Sequence, residues 1–85
     1  MRNFWLDRRP KIHMNSNPYD SDSYGKWYIC KPDGEMMTIY GPSPKFIYLH
    51  KDGSWRSSTY DPVRGKYSGF YNSEREAEEI LQKYT

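Results

Sequence analysis

Three side chains in this sequence could act as acid, base or nucleophile near neutral pH: His13, His50 and Cys30. Two histidines can form an acid–base pair, as in a small ribonuclease, because that chemistry needs two groups titrating near neutrality within reach of one phosphate. Nothing in the sequence brings His13 and His50 together. Cys30 has only those histidines as possible bases, and reads instead as a half-buried strand cysteine. Asp20, Asp22 and the neighbouring serines lack the spacing and terminal Glu of a calcium loop. No phosphate loop, dinucleotide fingerprint or nucleophile elbow occurs. The expectation is a protein that is not an enzyme and holds neither cofactor nor metal.

Binding chemistry is better represented. The chain carries nine Tyr, three Trp and three Phe among 85 residues, with 13 Lys and Arg. Tyrosines can stack on bases while cations hold phosphates, the combination used by single-strand and RNA binders. On that reading Tyr28, Tyr48 and Tyr60 stack, and Arg56, Arg64 and Lys66 hold phosphates. Arg8, Arg9 and Lys11 resemble the basic extensions that contact a nucleic-acid groove. The plainer reading is that Tyr is a good strand former whose hydroxyl tolerates water. Tyr, Trp and Arg are equally what protein interfaces favour at their hot spots.

These side chains need elements to hold them. Residues 1–25 are polar and punctuated by Pro10 and Pro18, so they read as an irregular basic arm, anchored at best by Phe4, Trp5 and Leu6. Residues 26–85 read as one domain. Within it, Trp27 to Cys30 precedes Pro32-Asp33-Gly34, and Phe46 to Leu49 precedes Lys51-Asp52-Gly53. Asp-Gly between β-favouring runs is the strongest short-range hairpin signal. Three-residue loops closed by Gly34 and Gly53 would set Cys30 opposite Met36, and Leu49 opposite Trp55. A core of Trp27, Ile29, Met37, Ile39, Ile47, Leu49 and Trp55 follows. A two-residue second turn would flip that hairpin's faces.

The opposite face would then carry Lys26, Tyr28, Cys30, Met36, Thr38, Tyr40, Phe46, Tyr48, His50, Arg56, Ser58 and Tyr60. Gly41 to Pro44 reads as a connector, since two prolines sit poorly in a paired ladder. A fifth strand is expected over Lys66 to Tyr71. Ser73-Glu74-Arg75-Glu76 is a capping box, and Ala77, Ile80, Leu81 and Tyr84 follow at helical spacing. The fold class is therefore α+β: a small antiparallel sheet of about five strands, two Asp-Gly hairpins plus one strand, with one C-terminal helix packed on one face.

Composition bounds the rest. Leu, Ile, Val and Phe number only 12 of 85, a disorder-like share, yet the net charge is just +2 and aromatics reach 18%. A folded domain with an aromatic core reconciles these figures, because Trp and Tyr bury more area per residue than Val. No apolar run is long enough for a membrane helix, and Asp7, Arg8 and Arg9 stand where a signal peptide needs apolar residues. A cytoplasmic protein with no membrane partner is expected, and one Cys permits no internal disulfide.

Gly53-Ser54-Trp55, Tyr60-Asp61-Pro62, Gly65-Lys66, Gly69-Phe70-Tyr71-Asn72-Ser73 and Glu76-Ala77 together resemble the AP2-type DNA-binding domain and the similar arm-binding domains of tyrosine integrases. The resemblance spans residues 53–81. It implies a sheet-plus-helix architecture whose sheet enters the major groove, with Trp55 packing or touching DNA. Ser58 and Tyr60 stand where that family commonly has Glu and Arg, so bidentate base readout would rest on Arg56 and Arg64. In overall style the chain is also similar to small bacteriophage accessory proteins, some of which block host defence enzymes. Two expectations result: a nucleic-acid-contacting module, or an inhibitor or adaptor that binds a host protein. Homodimerisation by strand addition at a free sheet edge would be open to either.

Overall fold

The computed structural model describes residues 9–84. Five antiparallel strands form one sheet: β1 (Lys11–Met14), β2 (Trp27–Thr38), β3 (Gly41–Leu49), β4 (Trp55–Arg56) and β5 (Phe70–Tyr71). Helix α1 (Glu74–Tyr84) follows and packs across β1, β2 and β5. The order is β1-β2-β3-β4, with β5 also paired to β2. The α+β class and the single C-terminal helix are as expected, but β1, β2, β3 and β5 differ in extent from the strands anticipated.

The second Asp-Gly loop folds as its chemistry requires. The His50 N–H donates to Ser54 O and the Gly53 N–H to His50 O, both at 2.9 Å, and Gly53 takes φ +89°. Only glycine enters that region cheaply. Leu49 accordingly faces Trp55 and Tyr48 faces Arg56.

The first Asp-Gly does something else. β2 runs straight through it, and the register shifts between Pro32 and Glu35, so that Asp33 and Gly34 together oppose Lys45. Gly34, at φ +79°, is the left-handed residue of a β-bulge and not of a turn. The chain reverses further on, at Ile39 and Tyr40, where Thr38 Oγ1 accepts from the Tyr40 N–H (3.2 Å) and donates to Gly41 O (2.7 Å). Cys30 therefore faces Tyr48, not Met36.

Gly41 to Pro44 is strand and not connector. Thr38 and Gly41 close a two-residue turn and so form a hydrogen-bonded pair; pairs alternate from there, so the first and third pairs on, Met37 with Pro42 and Glu35 with Pro44, are non-hydrogen-bonded. Both proline nitrogens thus point to the outer edge, where no ladder donor is missed. That edge is also blunted against strand addition.

The expected irregular arm is corrected at its end. Lys11 to Met14 pair with Cys30 to Trp27 as an edge strand. Asn15, whose amide donates to Asp20 Oδ2 and Ser23 O, ties the loop between β1 and β2. Phe4, Trp5 and Leu6 lie outside the described residues. The fifth strand is also shorter than expected, with Lys66 bridging to Asp61 alone and pairing resuming at Phe70.

One sheet face carries the core. Ile29, Leu49, Tyr71 and Ala77 are fully buried, and Ile12, Trp27, Trp55, Ile80 and Leu81 pack against them. Burying the Ile29 and Leu49 side chains stabilises by about 2–3 kcal/mol each. Ser73 Oγ accepts from the Glu76 N–H (3.1 Å), capping α1 and turning Ala77, Ile80 and Leu81 inward. Met37 and Ile39, expected in the core, are exposed: the bulge inverts the alternation of β2, and both residues extend beyond the sheet that the helix covers. Cys30 and His50, expected on the exposed face, are buried. Among the described residues no helix is long and apolar enough to cross a membrane.

Candidate functional site

Residues directly opposite in antiparallel strands share a face. Two rows therefore cross the sheet on the side away from α1: Lys11, Cys30, Tyr48 and Arg56 in one, His13, Tyr28 and Phe70 in the other. Tyr28 meets two of its neighbours edge-on. Tyr28 lies 5.8 Å from Tyr48 at 62° and 6.2 Å from Phe70 at 89°, with His13 at 5.8 Å on its other side. From Phe70 the contact continues to Tyr67 (6.0 Å) and on to Tyr60 (4.9 Å).

Above these rings lies a cleft of about 320 Å³, lined by Tyr28, Tyr48 and Phe70 together with Asn15, Asp20, Ser57, Ser58 and Thr59. Two loops make its walls. The Asn15–Asp20 wall is held by Asn15, and the Ser57–Thr59 wall by His50, whose Nε2 meets Ser58 O at 2.6 Å. Gly69 donates to Thr59 O at 3.1 Å. A Cβ there would come within 2.8 Å of the Thr59 Cα, so only glycine lets the two chains approach.

The electrostatics are one-sided. Hydrogen bonds from the Ser23 hydroxyl, then from Asn15, hold the Asp20 carboxyl below its ordinary range. Burial, reinforced by Cys30 and by the adjacent phenol, pushes Tyr28 up, and burial with Cys30 does the same for Tyr48. Burial likewise raises the Cys30 thiol, which keeps it protonated and unreactive. The cleft thus has neutral phenols at its floor and one carboxylate at its rim, and no Lys or Arg among the described residues lines it.

Of the nine side chains expected to bind, the fold gathers Lys11, Tyr28, Tyr48 and Arg56 on one face. Tyr60 joins through Tyr67, while Arg64 lies on the Asp61–Lys66 loop and Lys66 is exposed there. Arg8 lies outside the described residues. Arg9 and Lys11 are exposed, and each has an interaction partner.

The arginines are not poised for phosphate. Arg56 Nε donates to Ser54 Oγ (3.0 Å) and its terminal nitrogen lies 4.0 Å from Asp52. Arg64 sits 3.7 Å from the same carboxylate and 3.8 Å from Asp61. Trp55, which the AP2 resemblance allowed to touch DNA, packs on the helix side beneath the Lys31 ammonium at 4.2 Å. Sequence reasoning missed Phe70, Asn15, Asp20 and Thr59 as cleft residues. The capping-type asparagines at 15 and 17, each accepting from a backbone N–H two residues on, were the available signal for an ordered wall.

His13 and His50 do not form a pair. His50 is fully buried with both ring nitrogens engaged, at Ser68 and Ser58, whereas His13 is exposed beside Tyr28. Among the described residues no three His, Cys, Asp or Glu side chains converge on a metal position.

A second surface stands apart from the cleft. Beyond Lys31 and Ile47 the strands β2 and β3 pair only with each other, forming a bare two-stranded ribbon. At its tip Met37 is 80% exposed, Ile39 91% and Tyr40 94%, with Met36 half exposed beside them.

No protein family, curated protein or solved structure matches this chain.

Proposed function

We propose that this protein is a non-enzymatic binding module that engages another protein through the tip of the β2–β3 ribbon. The observation that carries the reading is the exposure of Met36, Met37, Ile39 and Tyr40 at the end of one projecting ribbon. A cluster of large apolar side chains held in water is a feature of interaction sites, and methionine is over-used on surfaces that adapt to partners. A two-stranded ribbon is marginally stable alone, so the outlay in exposing it is best explained by a partner that covers it. The inhibitor or adaptor of a host enzyme anticipated from the sequence is one form of this function.

The test is capture from a nuclease-treated lysate, using the wild type and a Met37→Ser, Ile39→Ser, Tyr40→Ser variant. A protein retained by the first and lost from the second supports the reading. Identical captures, or loss of the wild-type band on nuclease treatment, count against it.

A second reading, contact with nucleic acid, draws on the continuous aromatic row from Tyr28 through Phe70 and Tyr67 to Tyr60. It is the weaker of the two, because Arg56 and Arg64 are each held by carboxylates and the adjoining cleft bears Asp20. Titration of fluorescent single- and double-stranded oligonucleotides at low salt decides it, since phosphate contacts make binding steeply salt-dependent.

A further inference from the structure

We infer that the cleft beneath Asn15, Asp20 and Thr59 is a binding site for an alkylammonium group. Three aromatic rings meet there edge to face, Tyr28 standing at 62° to Tyr48 and 89° to Phe70, so their planes form the corner of a box and not a flat stacking platform. A flat base prefers parallel rings; a compact cation prefers several ring faces around it, since each presents the negative side of its quadrupole. The rim supplies the matching charge. Asp20 is the one ionisable carboxylate among the lining residues, and hydrogen bonds from Ser23 and Asn15 favour its anionic form. Ser57, Ser58 and Thr59 complete the opposite wall, and no cation competes for the space among the described residues. At about 320 Å³ the cleft is at the small end for ligand sites and holds one head group with its first carbons.

The walls are built to stay apart. The Asn15 wall is pinned through Asp20 and Ser23, the Ser58 wall through buried His50, and neither depends on the ribbon. The site is thus independent of the ribbon tip and stands or falls separately. The head group could come from a lysine-type side chain of a protein or from a free quaternary amine, and both present the same chemistry to the rings.

The test is an NMR titration of the intact protein with choline, with its uncharged carbon isostere 3,3-dimethylbutan-1-ol, and with Nα-acetyl-trimethyllysine methylamide. Choline is expected to shift the amides of Asn15, Tyr28, Thr59 and Phe70, and to bind at least about fivefold more tightly than the isostere, the preference a desolvated cation–aromatic contact gives. Tighter binding of the lysine derivative assigns the site to a protein side chain; tighter binding of choline assigns it to a free amine. Equal binding of choline and isostere, or no shift with any of the three at 50 mM ligand, a chosen upper limit of about the weakest specific affinity worth assigning, overturns the inference. Asp20→Asn, in which the amide can keep the wall's hydrogen bonds, is expected to weaken choline severalfold. Unchanged affinity in that variant also overturns it, and the wild-type comparison stands if the variant fails to fold.

Discussion

His50 and Ser68, eighteen residues apart in the chain, are joined by a 2.5 Å hydrogen bond between Nδ1 and Oγ in a fully buried setting. The other ring nitrogen faces Ser58 O, a pure acceptor, so Nε2 carries a proton and donates it there, while Nδ1 pairs with the Ser68 hydroxyl. One imidazole thereby fastens two loops to the end of β3, and the Lys51 N–H adds a bond to Ser68 O. This histidine is a structural latch.

Replacing it should expose that role. His50→Ala leaves the Ser58 carbonyl and the Ser68 hydroxyl without their buried partner, at about 1–3 kcal/mol for each orphaned group. The expected result is a marked drop in the urea midpoint, with faster amide exchange at Thr59 and Gly69. A midpoint within error of the wild type would mean the loops are held by other contacts.

Gly53 and the helix end form a second testable pair. A Cβ on Gly53 would lie 2.5 Å from Tyr84 Cε1, and its backbone is in the left-handed region at φ +89°. Gly53→Ala should therefore cost about 1–2 kcal/mol for the backbone alone, plus a steric part that vanishes when Tyr84 is also Ala. A double-mutant cycle by chemical denaturation should show coupling of about 1 kcal/mol; simple additivity would place the Tyr84 ring elsewhere.

Tyr71 makes alkaline stability predictable in sign. Burial, then the charges of Glu76 and Asp52, lift its phenol well above the ordinary range, and its hydroxyl donates to Leu49 O at 2.9 Å. The unfolded chain releases this proton near its ordinary value of 10.0, whereas the folded chain keeps it. The stabilisation is whole below about pH 10 and is lost as pH climbs toward the folded value. Tyr28 and Tyr48, also raised by burial, act in the same direction. Urea midpoints should fall above about pH 10, less steeply for Tyr71→Phe, which forfeits about 1 kcal/mol at neutral pH with its hydrogen bond.

The split between what the sequence showed and what it hid is physical. Local chemistry was legible wherever one short-range rule acted alone. Ser73 with Glu76 marked the helix start, and Gly53 closed a turn that set Leu49 against Trp55. Gly34 defeated the same rule, because a left-handed glycine serves a bulge as well as a turn, and the choice depended on whether β3 continued alongside. Ile39-Tyr40 carries no turn signature, so the true reversal was silent apart from Gly41. Lys11 to Met14 became a strand through pairing with distant residues, which no local pattern announces. The candidate surface was half legible: Tyr28, Tyr48 and Arg56 share a face as expected, but the Asp52 carboxylate beside Arg56 also reaches Arg64 from another turn, a pairing that no local pattern announces.

That carboxylate makes a prediction about nucleic acid. Asp52 is held below its ordinary range, chiefly by the Ser54 hydroxyl and backbone, then by Arg64 and Arg56, and so stays charged at neutral pH. Wild-type protein should bind oligonucleotides weakly, and Asp52→Asn should bind more tightly with a steeper salt dependence, because Arg56 is released toward phosphate and Arg64 keeps only Asp61. Tight wild-type binding that Asp52→Asn leaves unaltered would show that other cations carry it.

The ribbon variants test whether exposure there is for stability or for contact. Met37→Ser and Ile39→Ser remove side chains that face water, so each should change folding stability by no more than about 0.5 kcal/mol. A larger loss would show that the tip packs on the body of the domain.

The most direct test of a protein-binding ribbon is site-specific photo-crosslinking in cells, with the crosslinking amino acid placed at Ile39 in one sample and at Glu79, on the exposed side of α1, in another. The account predicts a discrete protein adduct from position 39 and none from position 79. Adducts to nucleic acid from position 39, or the same pattern from both positions, would contradict it.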